Sequence, residues 1–165
     1  MRILGIDPGS VYTGFAVLDV EGGRLRPRAL GRWALKGRGV GPRLAQLHAS
    51  LGALLQEYQP QVAAVETVFV HHNPNSALKL GQARGVILCT LAEHEIAVHE
   101  YPPATIKQSV CGSGRADKTQ VGWMITRLLA VRDKLSADAA DAAAVAVCHH
   151  QHAPARRLRA AALPA

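Results

Sequence analysis

The stretch RILGIDPGSVYTGFAVLDV, residues 2–20, decides the fold. Its first residues form a short apolar run that stops at Asp7, and Pro8-Gly9 then turns the chain. A run of this length bounded by turn residues reads as a buried strand. TGFAVLDV reads as a second strand. EGGR is a turn signal before LRPRALGRWAL, so residues 2–35 are expected to form a three-stranded antiparallel meander. Pro27 lacks an amide hydrogen and is expected to keep the third strand near a sheet edge. An ionised carboxylate at the end of a buried run gains nothing from burial. Asp7 therefore either begins an ordinary Asp-Pro-Gly turn or is being delivered to a site.

Downstream, the hydrophobic period changes from strand to helix. Residues 42–58 place Leu44, Leu47, Leu51, Leu54, Leu55 and Tyr58 on one helical face. Pro42 suits a first helical turn, and Pro60 closes the helix ahead of QVAAVE, a fourth and buried strand. The loop TVFVHHNPN leads to a helix over about 76–94, IAVHEY is a fifth strand, and Pro103 opens a short helix through Val110. CGSGRAD is a Gly-rich connection in which Asp117 is placed to cap the next helix. Two further helices are expected over about 118–129 and 137–149. The pattern predicts one α/β domain over residues 1–152, a mixed five-stranded sheet flanked by helices, with three antiparallel strands followed by two parallel ones. Residues 153–165 read as a basic, disordered tail carrying Arg156, Arg157 and Arg159.

Composition narrows the class. Hydrophobic residues make up 48 % of the 165, which describes a folded globular chain. No apolar stretch approaches the roughly 20 residues that span a bilayer, and the start lacks a signal-peptide layout, so a cytoplasmic protein without membrane contact is expected. The three cysteines form no CxxC pair, which argues against a disulfide framework or a structural zinc site. The net charge of +7 points to an anionic partner.

Against that basic background, four of the 12 acidic residues stand at the ends of apolar segments: Asp7, Glu66, Asp138 and Asp141. Ligands gather at the carboxyl ends of strands in α/β sheets. If the first and fourth strands are parallel neighbours, Asp7 and Glu66 meet there. Asp138 and Asp141, spaced i, i+3, can project from one helical face, and the alanines of ADAADAAAVAV let that helix lie close to a sheet. Converging carboxylates repel one another. Mg²⁺ or Mn²⁺, hard cations that prefer oxygen, would relieve the repulsion, and two such ions ~4 Å apart serve phosphodiester hydrolysis. Taken singly, Asp138 can equally be a favourable charge at a helix start.

The segments ILGIDPGSVYTGFAV, AAVETVFVHHNPNSALKLGQARGV, YPPATIKQSVCGSGRADKTQV and ADAADAAAVAVCH resemble, in order and spacing, those of the RuvC crossover junction endodeoxyribonucleases. The resemblance covers Met1 to about His150. It implies a ribonuclease H-like fold, a homodimer, and symmetric cutting of four-way Holliday junctions in recombination and repair, leaving 5′-phosphate and 3′-hydroxyl ends. The family's acidic tetrad falls on Asp7, Glu66, Asp138 and Asp141, with two Mg²⁺ or Mn²⁺ ions per site. Its basic residues near the scissile phosphate fall on Lys107 and Lys118, and its loop phenylalanine on Phe69. The helix carrying Gly81 to Gly85 would form the dimer interface, and the RuvA–RuvB branch-migration complex is the implied partner.

Other residues are weighed beside these. Phe69 is either a core ring capping its strand or a ring that stacks on an unpaired base, a contact worth ~1–3 kcal/mol. His71, His72 and Asn73 share its loop and are candidate DNA contacts, as is Arg115 in the Gly-rich connection. The run HHQH at 149–152 reads as a polar stretch after the last helix rather than a metal cluster, because it lacks a carboxylate or cysteine partner. Three rivals remain in view. An RNA-processing nuclease would share the fold. A structure-specific binding module would leave the carboxylates idle. Actin-like phosphotransferases also end a first strand in Asp, but need two such domains around the nucleotide.

Overall fold

A computed structural model of the chain describes residues 1–67 and 74–161, with side-chain surroundings described through residue 153. The meander forms as expected: β1 (Arg2–Asp7), β2 (Tyr12–Glu21) and β3 (Arg24–Ala34) pair antiparallel. Helix α1 (Val40–Tyr58) returns the chain to β4 (Val62–Glu66), which lies parallel to β1. Helix α2 (Pro74–Glu93) leads to β5 (Ala97–Tyr101), parallel to β4. Three helices follow: α3 (Pro103–Cys111), α4 (Lys118–Leu128) and α5 (Ala137–Ala161). The sheet order is β3-β2-β1-β4-β5, so Pro27 does lie on an edge strand, beside a register shift opposite Val17 and Leu18. There its missing amide costs little.

Strand periodicity divides the core in two. Leu4, Ile6, Val17, Ala63 and Val65 pack against α1 and α2 on one face. Ile3, Ala16, Leu18, Val62 and Ala64 pack against α3, α4 and α5 on the other. Asp7 and Glu66 continue the second series, so both belong to the face that α5 covers.

Helix α5 lies unusually close to that face, and two glycines explain how. A Cβ at Gly5 would come 2.2 Å from the Ala142 carbonyl oxygen, and one at Gly14 would come 2.0 Å from that of Asp138. Ala139, Ala140, Ala142, Ala143, Ala144 and Ala146 are all buried along the helix. Small residues on both surfaces let helix backbone rest on sheet backbone.

Two expectations at the C-terminal end are corrected. The last helix does not stop at His149: α5 runs to Ala161. Its alanines, arginines and leucine are strong helix formers, and they extend a helix already anchored by its buried half. His149, read as part of an exposed polar run, is 3 % exposed. Its Nδ1 is hydrogen-bonded to the Tyr101 hydroxyl at 2.9 Å, which satisfies a polar group that would otherwise be costly to bury. Among the described residues, no helix is long and apolar enough to cross a membrane.

Candidate active site

Register alone brings the first two carboxylates together. Ile6 pairs with Val65 across parallel strands, so the next residue of each, Asp7 and Glu66, emerges side by side at the carboxyl edge of the sheet. Their side chains share a hydrogen bond. Burial pushes the Asp7 carboxyl up to about 8, and the charges of Glu66 and Asp141 push the same way. Burial also raises Glu66, against the opposing pull of the bond from Asp7. At neutral pH the pair therefore holds a proton between two groups that would each be ionised in water.

The other two carboxylates descend from α5. The Ser136 side chain accepts a hydrogen bond from the Ala139 amide (3.3 Å) and opens the helix. Asp138 lies in the first turn and Asp141 follows one turn later. Asp141 faces Asp7 and Glu66 across a cavity of about 680 Å³. Asp138 does not line that cavity. Its Oδ2 accepts a bond from Arg32 at 2.9 Å, and the Arg32 guanidinium lies 4.0 Å from the centre of the Tyr12 ring. The expected convergence is thus three carboxylates in one cavity, with the fourth held beside it by a cation.

Both expected lysines reach the cavity. Lys107 comes from α3, which Pro102 and Pro103 start immediately after β5. Lys118 is the first residue of α4, behind a capping box in which the Asp117 side chain accepts from the Gln120 amide and the Gln120 side chain from the Asp117 amide. Its Nζ stands 3.3 Å from Asp141 Oδ2, and that charge raises the lysine's pKa. Among the described residues, no three ligating side chains already form a finished metal cage. What exists is a half-buried, proton-sharing acid pair, a third acid opposite it, and two ammonium groups beside them.

Arg115 does not belong to this cavity; it is exposed and lines a separate groove along α4. Phe69, His71, His72 and Asn73 lie outside the described residues. Two participants escaped the sequence reading. Thr67 lines the cavity, and its amide donates to the Tyr101 carbonyl at 2.9 Å, which fixes the chain just after Glu66. Arg32 holds Asp138. The available signal for Arg32 was the ladder itself: Gly14 pairs with Asp7 on one side and Arg32 on the other. All three stand in one row on one face, and the glycine leaves room for α5 between the two side chains.

The family model for "Crossover junction endodeoxyribonuclease RuvC" matches residues 3–149. The chain is 48 % identical over 152 residues to the RuvC crossover junction endodeoxyribonuclease of Halorhodospira halophila, covering 92 % of this chain and 90 % of that one. With the protein of the same name from Acidiphilium cryptum it shares 49 % over 162 residues, 97 % of each. Among solved structures it resembles T. thermophilus RuvC in complex with Holliday junction substrate, at 27 % identity and a TM-score of 0.84, covering 94 % of this chain and 96 % of that one.

Proposed function

Since the chain belongs to the RuvC family of crossover junction endodeoxyribonucleases, and is a nuclease that resolves Holliday junctions, we propose that its acidic cavity cuts the junction by paired symmetric nicks with divalent metal as cofactor. The observation that carries the reading is the pairing of Asp7 with Glu66 at parallel strand ends, with Asp141 opposite and two lysines beside them.

The donor set fits a hard divalent cation. All three side chains offer oxygen, and a dication would offset both the burial that chiefly raises Asp7 and the neighbouring charges of Glu66 and Asp141 that add to it. Mg²⁺ or Mn²⁺, a pair per site, would be held by Asp7, Glu66 and Asp141. Asp138 joins them when Arg32 yields. Once bound, the metal supplies Lewis-acid activation for phosphodiester hydrolysis, giving 5′-phosphate and 3′-hydroxyl ends. Lys107 and Lys118 draw the scissile phosphate into the cavity and offset the charge that grows on it in the transition state. Thr67 and the close seat of α5 hold the carboxylates in position, so the geometry need not be assembled during the reaction.

Two linked nicks require two equal sites. A homodimer with two-fold symmetry matches the symmetry of an opened four-way junction. The surface of α2 supports this reading: Leu78 is 62 % exposed, and the space beyond Gly81 and Gly85 is open. Phe69, His71, His72, Asn73 and Arg115 complete the proposed DNA contacts. Family membership supports work alongside the RuvA–RuvB branch-migration complex, in the cytoplasm.

Cleavage of a mobile synthetic junction, mapped at nucleotide resolution with Mg²⁺ and with Mn²⁺, tests the proposal. Paired nicks at symmetry-related positions are expected, with structured RNA and linear duplex left intact. Unpaired nicks, or a preference for RNA, would overturn it.

A further inference from the structure

A second groove of about 630 Å³ runs along the opposite flank of α4 from the acidic cavity. Ser113, Arg115, Thr119, Gln120, Trp123 and Met124 wall it. Trp123 is 58 % exposed. An isolated exposed aliphatic residue is ordinary, but this is an indole set into a groove that also carries arginine. The Arg127 guanidinium, one helical turn on, lies 5.1 Å from the centre of its ring. Arg115 is one of the groove's walls. Among the described residues, neither arginine is paired with a carboxylate. Among the described residues, no acidic side chain walls the groove, and the Asp117 side chain nearby is committed to the helix cap.

Helix α4 borders both the groove and the site. Lys118 and Val121 face the acidic cavity, while Thr119, Gln120 and Trp123 from the same turns face the groove. From Lys118 to Trp123 the helix rises roughly 7.5 Å, the spacing of about two nucleotides along a duplex strand. Resting on the junction-cutting role proposed above, we infer that this groove receives the DNA strand beyond the cut phosphate, with a base or sugar against Trp123 and the following phosphates drawn to Arg115 and Arg127. A flat π surface beside a guanidinium group, in a groove that arginine also walls, matches a polyanion that carries rings. An acidic protein helix could match the charge, but it would leave the flat ring without a stacking partner.

Binding of a fluorescently labelled synthetic four-way junction, measured in EDTA so that no cutting occurs, tests this on the full chain. Trp123→Ala is expected to weaken binding between about fivefold and a hundredfold, and Trp123→Phe to retain most of the affinity. Trp123 is one of two tryptophans, and the other, Trp33, is half-buried and stacked on Phe15 on the far edge of the sheet. The junction-dependent change in tryptophan emission should therefore vanish in Trp123→Phe. The Arg115→Gln/Arg127→Gln double variant should lower the slope of log affinity against log salt by up to about two. Thermal melts of each variant report folding, and the arginine variant tests the groove even if Trp123→Ala melts early. Wild-type affinity, emission change and salt slope in these variants would overturn the groove while leaving the nuclease reading intact. A change in self-association without a change in DNA binding would overturn it in favour of a protein interface. Failure of the unaltered protein to bind or cut a junction would overturn both.

Discussion

The two pairs of acids in this molecule live under opposite electrostatic conditions. Asp7 and Glu66 sit on strand ends, fixed by backbone register, bonded to each other, and burial raises both. Asp138 and Asp141 sit on a helix that approaches from above, and each has already found a cation, Arg32 or Lys118. The strand pair therefore stores an unfavourable interaction that a dication would relieve. The helix pair is already neutralised and must exchange one cation for another. On the proposed reading, the strand acids would set where a metal goes, and the cation-paired helix acids how tightly it is held.

The largest effect expected from breaking this contrast is at Asp7. Asp7→Asn removes one metal ligand and the source of the repulsion together, so cutting should fall by at least about a thousandfold. Junction affinity should persist, and the metal-free protein should melt no lower at pH 8.5, because an amide carries no buried charge. A melt that collapses with loss of junction binding would show Asp7 to be a structural residue.

A smaller effect sharpens the contrast through pH. An unfolded aspartate loses its proton near about pH 4, whereas Asp7 keeps its own up to about 8. Within that window the folded state holds more protons than the unfolded one, so this group's contribution to stability falls as pH rises from about 4 to 8 and is level above it. Metal must displace the proton. Apparent Mn²⁺ affinity, read by calorimetry, should climb about tenfold per pH unit up to about pH 8 and then flatten. A profile flat from pH 6 to 9 would mean the strand pair is ionised without metal.

Gly14→Ala attacks the seat of the helix pair. Its Cβ would meet the Asp138 carbonyl at 2.0 Å, with backbone on both sides, so α5 must lift. Chemical denaturation should show a loss of about 1–3 kcal/mol or more, and cutting should drop while Asp7 and Glu66 stay in register. The smallest effect is at Arg32. Its pair with Asp138 is substantially exposed, so Arg32→Gln should cost no more than about 1 kcal/mol of stability. It should raise metal affinity a few-fold by freeing Asp138. Weaker metal binding in that variant would mean Arg32 positions Asp138 rather than withholding it.

Much of this was legible one residue at a time. The apolar runs ending in Asp7 and Glu66 specify strands whose last side chains leave the core, because a charge cannot follow its neighbours inward. Pro103, and Asp117 with Gln120, mark helix starts that bring Lys107 and Lys118 forward. Harder to read was any contact made across elements distant in sequence. Arg32 and Asp138 are 106 residues apart, and on an edge strand rich in arginine nothing local distinguishes Arg32 from Arg26 or Arg28. His149 misled for the same reason: its Tyr101 partner lies on a strand 48 residues earlier, and without that bond a histidine next to His150 looks solvated. The length of α5 was underestimated because its buried half supports turns that their composition alone leaves marginal.

By itself, then, the sequence determined the elements, the face of the sheet on which the acids stand, and the kind of chemistry that oxygen donors beside lysines can perform. These follow from local rules: alternation along a strand, the turn of a helix, and the cost of burying charge. Only the tertiary structure decided which acids share a proton and which are held by cations. That choice depends on strand register and on how near α5 can come to the sheet over Gly5 and Gly14, and proximity in space is what sets a Coulomb energy.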